Sequence, residues 1–101
     1  LEKEYLYVGH YNTDTHYVLK VGTTNNLERR RKEHCRNYHA DFVYDWTLPL
    51  SHYNTLRYED KTRERWKQDF PDTFKRNDRF FLDEKPDSVS VVIRKEYRID
   101  L

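Results

Sequence analysis

The sequence predicts an α/β fold: a small single-domain sandwich with a β-β-α-β-α core and a short C-terminal strand extension. Three observations predict it. Two apolar, β-branched-rich runs at 5–11 and 16–22 flank the polar cluster Asn12-Thr13-Asp14-Thr15, the pattern of a β-hairpin. Two helix-length segments open on capping residues, Asn25 or Asn26 in one and Ser51 in the other. Such side chains accept hydrogen bonds from the free N–H groups of a first helical turn. Between the helices, residues 42–48 are rich in Phe, Val, Tyr and Trp, which suit a pleated surface.

The hairpin comes first. A turn on residues 12–15 sets Tyr7 opposite Lys20, Leu6 opposite Val21 and Val8 opposite Leu19. The aliphatic set is then the core face, and Tyr5, Tyr7, Gly9, Val18, Lys20 and Gly22 form the outward face. Directly opposed side chains stand about 5 Å apart between Cβ atoms. Tyr7 and Lys20 are therefore either a reactive phenol–ammonium pair or an ordinary half-exposed one.

The first helix runs to about Tyr38. At about 100° per residue, Leu27, Arg31, His34 and Tyr38 share one stripe, with Arg30 about 60° to its side. His34, Cys35 and His39 do not converge on one face and no second Cys exists, which argues against a zinc knuckle. The third strand, 42–48, stops at Pro49 because proline cannot donate to a ladder.

Ser51 opens the second helix, which runs to about Asp69 and is closed by Pro71. Leu56, Glu59, Arg63, Trp66 and Phe70 project into an arc of about 80°. A carboxylate and a guanidinium thus stand in the stripe that should face the core, where charges need a partner or a metal. Glu59 and Arg63 can satisfy one another as an i,i+4 pair, or Glu59 can hold a cation. A short turn or helix at 73–76 follows, then a strand at 79–82. Pro86 breaks the chain, and 88–94 alternates like a last strand.

Composition bounds the setting. In 101 residues only 36% are hydrophobic, yet nine Tyr, five Phe and two Trp supply large buried area per residue. No apolar run is long enough to span a membrane, and no signal-peptide pattern opens the chain. A single Cys excludes an intramolecular disulfide framework. An intracellular protein of the host cytoplasm or nucleus, not a secreted one, is expected. Leu1 at the start and the absence of Met predict an excised domain or a processed product, which leaves room for further domains of a longer chain.

Net charge is +1, unevenly placed: residues 20–40 carry six Lys/Arg against two Asp/Glu, and 57–79 carry eight against six. The remainder carries five against ten. A locally basic region on a near-neutral chain suits a polyanion site, or it is a solvated helix face.

Two segments carry a resemblance. Tyr5-Leu6-Tyr7-Val8-Gly9, followed by Lys20-Val21-Gly22-Thr23-Thr24-Asn25-Asn26-Leu27-Glu28-Arg29-Arg30-Arg31-Lys32-Glu33-His34, resembles the GIY-YIG nuclease superfamily. It is most similar to the short phage- and virus-type branch, whose second motif reads K-I-G. The resemblance covers roughly 5–82 of the single domain 1–101, leaving 83–101 as an extension.

The resemblance implies a divalent-metal-dependent endonuclease that hydrolyses phosphodiester bonds, with DNA as partner and a viral or mobile-element origin. Tyr7 matches the tyrosine of the first triplet and would be the general base. Lys20 stands where many members carry a second tyrosine, and its ammonium would depress the phenol's pKa. Arg30 lies eight residues after Gly22, and His34 four after Arg30; both spacings match the family's arginine and histidine. A guanidinium there would stabilise the charge of pentacoordinate phosphorus, and His34 would position the nucleophile or hydrogen-bond Tyr7.

Glu59 matches the helix-borne glutamate that binds one Mg²⁺ or Mn²⁺. Gly22, Thr23, Arg29, Arg31 and Asn77 would contact substrate. Two alternatives stay open: a nuclease-like module that binds nucleic acid without cutting it, and a protein-interaction domain anchored by Tyr38, Tyr53 or Tyr58.

Overall fold

The computed structural model describes residues 3–76, 78–94 and 96–100. Within them the order is β1 (Glu4–Asn12), β2 (Tyr17–Thr24), α1 (Leu27–Tyr38), β3 (Val43–Leu50) and α2 (His52–Asp69). Then follow β4 (Phe74–Arg76), β5 (Arg79–Leu82), β6 (Ser88–Val92) and β7 (Glu96–Asp100). The first five elements reproduce the expected β-β-α-β-α order. Strands β3-β1-β2-β5-β4 form one sheet, every neighbouring pair antiparallel, and β6-β7 is a separate hairpin.

The first hairpin turns later than expected. Thr13 N–H donates to the His16 carbonyl at 2.9 Å, and the Thr13 hydroxyl accepts from the N–H groups of Thr15 and His16. The loop is therefore 13–16, and Asn12 pairs with Tyr17. Tyr7 consequently faces Gly22, and Lys20 faces Gly9. A slip of two residues preserves which side chains share a face, so the division into two faces survives the correction.

Both faces are covered. Leu6, Val8, Leu19 and Val21 pack with Phe80, Leu82, Trp66 of α2 and Val89, Val91 and Ile93 of the β6–β7 region. Tyr7, Tyr11, Val18 and Phe42 form a second core with Leu27, Cys35 and Tyr38, under α1. The face expected to be outward is thus interior: Tyr7 is fully buried and Lys20 is 2% exposed.

The helix caps follow the sequence. Asn26 accepts from Arg29 N–H, Ser51 accepts from Asn54 N–H, and α1 closes on His39 at φ 54°. The buried faces differ from the projections. On α1 the inner residue is His34, with Arg30 on its flank and Arg31 exposed. On α2, Thr55, Thr62 and Trp66 are buried while Leu56 is 43% exposed. The threonines can be buried because their hydroxyls are satisfied, Thr55 on the His52 carbonyl and Thr62 on Val92.

Other boundaries move for local reasons. Pro49 lies inside β3, which is an edge strand where a missing N–H is tolerated. Phe42 precedes the strand and fills the second core. Residues 74–76, expected as a turn or helix, form β4 because β5 offers them an edge. The expected strand 88–94 ends at Val92, and β7, which the alternation did not reveal, pairs back on it.

Candidate active site

The Tyr7 ring lies across the sheet over Gly22. A Cβ at 22 would stand 2.5 Å from Tyr7 Cζ, so only glycine leaves the ring its place. Tyr44 and Phe42 meet that ring edge-on, with centroids 5.0 and 6.1 Å away. The Tyr44 hydroxyl in turn donates to the Leu27 carbonyl at 2.7 Å, tying β3 to the start of α1.

Tyr7 Oη and His34 Nε2 are 2.7 Å apart. Burial holds His34 down at about 4, with Lys20 and Arg30 adding to the effect, so the ring is neutral at pH 7. The Arg30 guanidinium lies beside the same phenol. Arginine can only donate, so the hydroxyl proton goes to His34 Nε2. Burial pushes the Tyr7 phenol well above its ordinary range, against the pull of Arg30. The depression expected from Lys20 is therefore not found: the ammonium is diagonal to the phenol, and desolvation dominates.

Arg30 also donates to Glu33 at 3.1 Å, and its side chain is 41% exposed. Burial works against its charge, but the hydrogen bonds with Tyr7 and Glu33 raise its pKa overall. The guanidinium thus joins the covered phenol to solvent.

Lys20 is a buried ammonium paired with Asp78. Burial lowers the Lys20 pKa despite Asp78, which opposes it together with Glu59, while Arg30 adds to the lowering. Burial acts to raise Asp78, but the hydrogen bond and charge of Lys20 outweigh it and hold the carboxyl low. The sequence reading did not include Asp78 in the site. One signal was available: a lysine on a central strand needs a buried counter-charge.

Glu59 comes from the helix on the opposite face of the sheet, yet its carboxylate feels Lys20 and Asp78 as well as Arg63. Arg63 Nη2 is 3.3 Å from Glu59 Oε2, so the i,i+4 pair forms. Burial nevertheless raises the Glu59 pKa, so Arg63 does not fully offset the desolvation of the anion. A hard cation accepts one carboxylate and keeps its remaining positions for water and substrate; the donor chemistry of Glu59 fits it. Among the described residues no group of three His, Cys, Asp or Glu side chains is arranged to hold a metal.

Tyr7, Lys20, Gly22, Arg30 and His34 are thus brought together under α1, with Asp78 added from the β4–β5 turn. Thr23 pairs with Leu6 and belongs to the other face. Arg29 bonds Asn25 Oδ1 at 2.9 Å, and Arg31 points its guanidinium at Cys35 Sγ, 3.8 Å away; both lie outside the cluster. Asn77 lies outside the described residues. Of the three tyrosines considered as partner anchors, only Tyr53 is open, at 68% exposure. Tyr38 instead stacks on Tyr11 and His34 under the Arg79 guanidinium.

No family model, curated protein or solved structure matches this chain. Among the described residues no helix is long and apolar enough to cross a membrane.

Proposed function

We propose that this chain is a divalent-metal-dependent endonuclease of GIY-YIG type that hydrolyses phosphodiester bonds in DNA. The observation that carries the reading is the Tyr7–His34 hydrogen bond beside the Arg30 guanidinium. Three side chains from two elements converge there, a candidate base, its hydrogen-bond partner and a cation for phosphate, which supports the reading. Tyr7 takes a proton from the attacking water while its own proton passes to His34 Nε2. The water oxygen forms its bond to phosphorus as the bond to the 3′ oxygen breaks, and that oxygen is protonated from solvent. Arg30 donates to the phosphate oxygens as negative charge grows on them. Lys20 adds positive charge near His34. Glu59 would hold the cation, Mg²⁺ or Mn²⁺, which when bound supplies Lewis-acid charge to the phosphate and leaving oxygen.

A second reading is favoured by one observation: the Tyr7 hydroxyl is fully covered and pushed away from ionisation. That state suits a module that binds nucleic acid through the basic α1 region without cutting it. The two readings part in one experiment. Supercoiled, single-stranded and branched DNA are incubated with Mg²⁺, with Mn²⁺ and with EDTA, alongside Glu59→Ala and Arg30→Ala. Metal-dependent cleavage lost in both variants supports the nuclease. Binding that weakens with salt, without cleavage, supports the silent module.

A further inference from the structure

We propose that Asp78 is a positioning residue of this site, holding the Lys20 ammonium at a fixed point among Arg30, His34 and Glu59. The inference rests on the nuclease reading. Asp78 lies outside the Lys20–His34 run that carries most of the resemblance, and the fold brings it to Lys20. Arg79 pairs with Lys20 across β5 and β2, and Arg76 pairs with Arg79 across β4 and β5. Asp78, which immediately precedes Arg79, therefore stands next to the residue opposite Lys20. The Lys20 side chain is 3% exposed and its Nζ is bonded to Asp78 Oδ2.

The charges around Lys20 explain why it needs an anchor. Arg30 faces it from α1 and repels it, Glu59 faces it from α2 and attracts it, and Asp78 bonds it from the turn. His34 feels both Lys20 and Asp78. Arg63 faces Asp78 from α2. Without Asp78, Lys20 is left with the repulsion of Arg30 and the attraction of Glu59, the carboxylate assigned to the metal. The Asp78 bond holds the ammonium against that pull, and leaves Glu59 available to a cation. A buried ammonium stripped of its bonded partner also has less reason to stay charged.

The test is a double-mutant cycle between Asp78→Asn and Lys20→Met, read as kcat and KM on the DNA that the wild type cuts. Asp78→Asn is expected to lower kcat by about ten-fold with KM little changed. In the Lys20→Met background the same change is expected to add no further loss, since its only route is gone. The alkaline limb of the Asp78→Asn rate profile is expected to move to lower pH, and Asp78→Glu to restore it. Equal losses in both backgrounds overturn the proposal. So does a loss of activity that follows loss of fold with an unchanged pH profile. If Lys20→Met has no measurable rate, the pH profile decides. A wild type that cuts no DNA overturns the nuclease reading itself, and this role falls with it.

Discussion

Tyr7 and Gly22 face one another across β1 and β2, and the tyrosine ring fills the space that a side chain at 22 would take. The glycine is needed for volume rather than for an unusual backbone angle, since neither glycine has a positive φ. Gly22→Ala would force the ring aside within a core that leaves Tyr7 no exposed surface. A loss of about 1–3 kcal/mol is expected, as for other overpacked sites. Urea unfolding measures it. Adding Tyr7→Ala should make the alanine at 22 nearly neutral; an equal penalty in both backgrounds would place the strain elsewhere.

Stability is expected to fall in mild acid because of His34. Its folded pKa is held at about 4 by burial, below the ordinary 6.5. Between those values the unfolded chain binds a proton that the folded chain refuses, so stability rises with pH across that window and is fully present above it. The contribution is at most about 3 kcal/mol. Glu59 works in the opposite sense, because burial raises its pKa and protonation relieves it. Comparing wild type with His34→Gln at pH 4.5 and 7.5 isolates the histidine. An identical pH dependence in the two proteins would count against a buried neutral ring.

The site was legible where it depends on spacing along one element and obscure where it depends on how elements meet. Arg30 and His34 are four residues apart on α1, the spacing that carried the resemblance, and His34 does bond Tyr7, although the projected stripe wrongly held Arg31 in place of Arg30. The Tyr7–Lys20 opposition failed because Thr13 chooses where the chain turns, and residues 12–16 are all polar enough to permit either loop. Asp78 was missed because it reaches Lys20 across 58 residues of sequence through two strand pairings. Likewise the stripe projected for α2 left out Thr55 and Thr62, which are buried with their hydroxyls on the His52 carbonyl and on Val92 of β6. In the fold, the order of the first five elements was legible, and β7 was not, since its pairing partner is what makes it a strand.

Arg30 should separate chemistry from stability. Its ion pair with Glu33 is partly exposed, and such pairs contribute about 0–1 kcal/mol. Arg30→Ala is therefore expected to shift the unfolding midpoint little and, if the proposed nuclease reading holds, to lower cleavage by about 100-fold or more, the scale of a lost transition-state donor. Arg30→Lys keeps a charge but loses the two-pronged donor and should recover only part of the rate. Parallel thermal melts and single-turnover rates check this. A large stability loss without a specific rate defect would make Arg30 a structural residue.

Thr62 fixes α2 against the second hairpin. Its hydroxyl accepts the Val92 N–H at 3.0 Å, at the end of β6, and it is fully buried. Thr62→Val keeps the shape and removes the acceptor, leaving the part-buried Val92 N–H without its side-chain partner, at a cost of about 1–2 kcal/mol. Thr62→Ser keeps the acceptor and loses one methyl, about 0.8 kcal/mol at most. The two variants thus rank opposite to their hydrophobicity if the hydrogen bond dominates. Urea midpoints give the ranking, and amide exchange at Val92 should quicken in Thr62→Val alone. Because α2 also carries Glu59, under the proposed nuclease reading loosening this bond should weaken the response of cleavage to Mg²⁺ before it abolishes cleavage. A Thr62→Val protein as stable as wild type would show that Trp66 packing alone seats the helix.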